Sequence, residues 1–96
     1  VTLFDEIAQI MLEGLKLWNS KESTKYEDRI ISLRQHARDE LAKPALDEIP
    51  IEKRASYAPD DLRSDAVLAS LRAQLRDVWD AATAAAGAAR TAALPG

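Results

Sequence analysis

Ninety-six residues with 13 Lys+Arg against 16 Asp+Glu, a formal charge of −3 and a pI near 5.1, describe one small domain with a modest core. A hydrophobic share of 47% excludes wholesale disorder, and the absence of Cys excludes a disulfide framework, a thiolate nucleophile and a Cys-ligated zinc site. The acidic balance counts against a dedicated nucleic-acid binder, which carries a basic excess.

The first predicted helix covers residues 3–18. Thr2 is placed to cap it, with Asp5 three positions on. Asp5, Glu6, Gln9, Glu13 and Lys16 form one polar stripe. Leu3, Phe4, Ile7, Ala8, Ile10, Met11, Leu12, Leu15, Leu17 and Trp18 occupy the rest, an arc far wider than the ~100° that one core contact needs. Such a helix calls for cover on two sides. Asp5, Glu6, Glu13 and Lys16 also interrupt the most apolar stretch, so it does not read as a membrane span of about 20 residues. The acidic start is unlike a secretory signal.

Asn19-Ser20 breaks the pattern, and Ser20 is a candidate cap for a second helix over 21–43. Its apolar seam is Tyr26, Ile30, Leu33, Ala37 and Leu41, which suits an outer, solvent-facing partner of the first helix. Glu22 with Lys25 and Asp39 with Lys43 are favourable neighbours. The short junction predicts an antiparallel helical hairpin, with one continuous bent helix as the alternative. Pro44, Pro50 and Pro59 then exclude a long helix from 44–63. Leu46, Ile49, Ile51, Tyr57 and Leu62 keep that segment apolar enough to be an ordered strap.

The third helix is expected over 64–93, with Asp60, Asp61 and Asp65 crowding its positive end. Leu68, Leu71, Leu75, Val78, Ala82, Ala85 and Ala89 recur in steps of three and four, the heptad spacing of a coiled coil. Trp79 flanks that seam, and nine of the 13 residues from Ala81 to Ala93 are Ala.

Few residues suggest chemistry. His36 is the only histidine, and Asp39 and Glu40 follow it on one helical face, giving at best two metal ligands. Asp60, Asp61 and Asp65 lack the glycine and alternating oxygens of a calcium loop, and helix capping accounts for them. Glu13, Glu22, Glu27 and Asp28 supply carboxylates, but three helices offer few ways to build a deep cleft. Arg34 with Arg38 and Lys25 with Arg29 make a short basic edge; the interleaved acids turn it into a mixed-charge solvated face. The expectation is therefore no enzyme, no catalytic residue, no metal and no cofactor.

The excess of helical apolar surface points to association, the alternative being that these faces all pack internally in a compact three-helix bundle. One contact surface is Leu3, Ile7, Ile10, Leu17 and Trp18; the other is Leu68, Leu71, Leu75, Val78 and Trp79. The stretches Leu3–Phe4–Asp5–Glu6–Ile7, Glu13–Gly14–Leu15–Lys16–Leu17–Trp18 and Arg63–Ser64–Asp65–Ala66–Val67–Leu68 give a layout that resembles short helical proteins of tailed bacteriophages and prophages, from virion-assembly or lysis regions. They cover under a quarter of the chain and carry no functional residue across. The expected molecule is all-α: one domain over 1–96 with a helical hairpin, a Pro-rich strap and a long third helix. It acts as a non-enzymatic assembly or adaptor protein by homo-oligomerisation, in the cytoplasm or on a virion. The alternative is a small regulator or inhibitor of a different protein. Nucleic acid and membrane are not expected partners.

Overall fold

A computed structural model describes residues 3–17 and 23–93, with side chains described as far as 87. Trp18, the Thr2 and Ser20 caps, the Asn19-Ser20 break and the start of the second helix at Lys21 lie outside the described residues. Three α-helices make up the fold: α1, Leu3–Lys16; α2, Ser23–Leu41; and α3, Asp65–Ala93. No strand occurs among the described residues, and no helix there is long and apolar enough to cross a membrane.

Ion pairs and hydrogen bonds set the directions. Asp5 and Gln9 of α1 meet Arg38 and Arg34 of α2, so numbers rise along one helix as they fall along the other. Glu40 meets Ser64, and Arg29 meets Gln74, which makes α2 and α3 antiparallel as well. α1 and α3 therefore run parallel. The molecule is elongated, 69 × 20 × 17 Å, with a radius of gyration of 18.0 Å; a compact chain of this length has about 12.5 Å. One reason is α3, about 43 Å long at 1.5 Å per residue.

α2 is the central helix rather than the outer one. It packs along both neighbours, whereas α1 and α3 touch each other only sparsely. Ile30 is fully buried, and Leu33 and Ala37 nearly so. Its apolar seam is narrow, yet it lies where two helices converge and both cover it. Phe4, Ala8, Leu12 and Leu15 enter this core from α1; Leu71, Leu75 and Ala82 enter from α3. Tyr26, Met11, Val78 and Trp79 pack against its edge.

The strap folds into three short 3-10 turns, Leu46–Glu48, Ile51–Ser56 and Pro59–Asp61. Pro59 opens the last of these at a position where its missing N–H costs nothing. Glu48 accepts the Ala45 N–H, and Asp61 the Ala58 N–H, so each acid steadies a turn. Asp60 and Asp61 thus belong to a separate turn, and of the three acids only Asp65 lies in the first turn of α3. Ser64 caps α3 with its hydroxyl, which accepts the Val67 N–H.

Glu40 ties the two ends of the strap together. It is buried, its carboxylate accepts the Ser64 N–H at 2.7 Å, and Lys43 pairs with it at 3.0 Å. Lys43 thus pairs with Glu40 instead of Asp39, which accepts from Gln35. Arg63 binds back to the start of the strap and the end of α2: its backbone N–H donates to the Pro44 carbonyl and its guanidinium to the Leu41 carbonyl.

Candidate association surface

Cover of α1 by α2 leaves a row of large apolar side chains outside. Leu3 is 71% exposed, Ile10 67% and Leu17 85%, with Ile7 less so at 37%. At 100° per residue, Leu3, Ile7 and Ile10 share one stripe, turned away from buried Ala8, Leu12 and Leu15, and Leu17 follows in the turn that closes α1, its N–H donating to the Gly14 carbonyl. Four of the five residues expected at the first contact surface are therefore brought together and exposed. The fifth, Trp18, is outside the described residues.

The second expected surface is corrected. Leu68, Leu71 and Leu75 are buried within the single chain, and Leu71 and Leu75 belong to its core. Val78 and Trp79 are half-buried against that core. The heptad spacing is present, but α2 lies along it, so the seam closes the monomer.

Trp79 also lines a groove of about 240 Å³ where α1 and α3 diverge. Leu3, Phe4, Ile7 and Met11 form one wall; Arg72, Leu75, Arg76 and Trp79 form the other. Gly14 makes the closing contact of the two helices possible: a Cβ there would sit 3.1 Å from the outer edge of the Trp79 ring. The lining holds two guanidinium groups and no carboxylate, hydroxyl or imidazole. It suits an apolar group beside an anionic one and offers no proton-transfer pair near neutral pH.

The edges of the stripe carry opposite charge. Arg72 and Arg76 stand exposed on the α3 side; Glu6 and Glu13 stand exposed on the other. Among the described residues none of these four is in an ion pair. Arg34 and Arg38, the candidate basic edge of α2, both donate to one oxygen of Asp5, at 3.2 and 3.0 Å. Burial pushes the Asp5 carboxyl up, but the hydrogen bonds and charges of Arg38 and Arg34 outweigh it, and its pKa is lowered from 3.8. Glu40 is likewise lowered from 4.5, by the hydrogen bonds from Lys43 and then Ser64. His36, one turn earlier on α2, is exposed.

The seam on α1 is open to discovery in the sequence. Leu3, Ile7, Ile10, Gly14 and Leu17 step by four, three, four and three, but the surrounding apolar residues of the helix mask the repeat. Comparison of the chain with protein-family models, curated proteins and solved structures finds no match, so the likeness to phage proteins rests on the quoted stretches alone.

Proposed function

We propose that this chain is a non-enzymatic assembly or adaptor protein that associates with copies of itself, in the cytoplasm or as part of a virion, through the outer stripe of α1. The observation that carries this is the row formed by Leu3, Ile10 and Leu17, each at least two-thirds exposed and each able to be buried by a partner. Aliphatic side chains left in water in a contiguous row mark an interaction surface, whereas scattered ones are ordinary. Removing them from water supplies the driving force for association.

The test is absolute mass by light scattering after size exclusion, over a hundredfold concentration range. A multiple of 10.6 kDa is expected. Ile10→Asp with Leu17→Asp should return it to one chain with helix content unchanged, because neither side chain is buried in the core. A single-chain mass for the native protein at every concentration refutes self-association and favours the other role for the same stripe, as a small regulator docking on a different protein.

A further inference from the structure

Leu3, Ile7 and Ile10 of α1, with Leu17 in the turn that follows it, are exposed and spaced as a heptad seam, with Leu3, Ile10 and Leu17 at one core position and Ile7 at the other. Gly14, the next position of that repeat, is half-buried and already covered by the Trp79 ring of the same chain, so the seam offers a partner the four aliphatic side chains alone. The charges on either side are unlike: Glu6 and Glu13 on one edge, Arg72 and Arg76 of α3 on the other. This asymmetry selects the orientation of a partner that is a second copy. Two copies packed stripe to stripe have two symmetric arrangements. A two-fold axis perpendicular to the helices makes α1 antiparallel to its mate and sets acid against acid and base against base. A two-fold axis along the helices makes them parallel and sets each acidic edge against the other chain's basic edge.

Axial level agrees with the second arrangement. α1 and α3 run parallel, and the groove brings Arg72 and Arg76 alongside Phe4 and Ile7. In an in-register parallel pair, Glu6 of one chain comes level with Arg72 and Arg76 of the other copy. We infer, building on the self-association proposed above, that two chains pair through α1 in parallel and in register, with Glu6 of each crossing to those two arginines. The surface is then both adhesive and polar in sense: the apolar stripe supplies attraction, and the edge charges supply orientation.

The chain has no cysteine, so an introduced thiol reports only on itself. Leu3→Cys and Leu17→Cys each alter an exposed position and leave the core intact. In a glutathione buffer, the parallel pair predicts that each variant alone forms a disulfide-linked dimer, since equivalent seam positions fall within disulfide reach. A mixture of the two variants should give no cross-link between unlike chains, because positions 3 and 17 would lie about 21 Å apart along the helix. The charge crossing is tested by exchange. Glu6→Arg with Glu13→Arg, and separately Arg72→Glu with Arg76→Glu, should each weaken self-association about tenfold or more at low salt. Mixing the two charge variants should restore it as a heterodimer.

Three results overturn the inference. A disulfide formed only when the Leu3→Cys and Leu17→Cys variants are mixed shows an antiparallel pair. A dimeric mass with no link from either variant shows a different face. A single-chain mass throughout removes self-association itself, and with it the function proposed above. The first two leave that function standing.

Discussion

Ile30 and Ile31 are adjacent, identical and in the same helix, but Ile30 is fully buried and Ile31 is 53% exposed. Substituting each by Ala removes the same three carbons and gives the same small gain in helix propensity. The difference between them therefore isolates burial between α1 and α3. At Ile30 the lost transfer free energy is about 0.8 kcal/mol per carbon, and the cavity left behind brings the cost to about 2–5 kcal/mol. At Ile31 about half the transfer cost applies, and the propensity gain offsets part of it, leaving about 1 kcal/mol or less. A domain of this size has a total stability of about 5–14 kcal/mol, so Ile30→Ala removes a substantial part of it. At roughly 4–8 °C per kcal/mol, a loss of about 3 kcal/mol lowers Tm by about 12–24 °C. Urea titration with far-UV circular dichroism, performed where the mass is that of one species, measures both variants. Equal costs at the two positions would refute the placement of α2 as the central helix.

Three further outcomes follow from particular contacts. Asp5 and Glu40 have folded pKa values below their ordinary ones, so their stabilisation is present above about pH 4.5 and is lost as pH falls through the lowered values. Tm should decline on acidification, and Asp5→Asn with Glu40→Gln should flatten that decline; an unchanged acid limb would remove both contacts from the account. At Gly14, alanine adds about 1 kcal/mol of helix propensity but presses on Trp79, so the net change should stay within about 1 kcal/mol. Leucine there cannot be accommodated and should cost about 1–3 kcal/mol while exposing the indole. Emission of Trp79 in a Trp18→Phe background reports this, and an unshifted spectrum for Gly14→Leu would contradict the contact. Arg63→Ala removes the guanidinium bond to Leu41 and the Glu48 ion pair, and trypsin should then cut at Lys53 and Arg54 several-fold faster; an unchanged rate would mean that these bonds do not hold the strap.

Local pattern carries the helices, the strap and the positions of most core side chains. The α2 seam is legible because polar residues flank it closely, and Ile30, Leu33 and Ala37 do enter the core. In α1 the apolar arc is too wide to say which part faces inward. Phe4, Ala8, Leu12 and Leu15 are distinguished from Leu3, Ile7, Ile10 and Leu17 only by where α2 docks. The α3 seam reads plainly as a repeat, but its neighbour is α2 of the same chain and not a second copy, because a heptad specifies a helical mate without saying whose it is. Glu40 and Arg63 cannot be found by spacing. Their partners lie 24 and 22 residues away and depend on the register that the folded strap imposes. The Gly14–Trp79 approach is similarly a product of two helices meeting across 65 residues of chain.

Since Glu40 and Ser64 hold both ends of the strap, residues between them form a loop whose closure is already secured by the bundle. Lengthening such a loop costs only the extra chain entropy, about 0.6 kcal/mol for each doubling. The exposed Tyr57–Ala58 junction, between two of the short turns, is therefore a port for inserted sequence: an epitope or a small tethered domain placed there would extend the molecule without disturbing the helices or the α1 stripe.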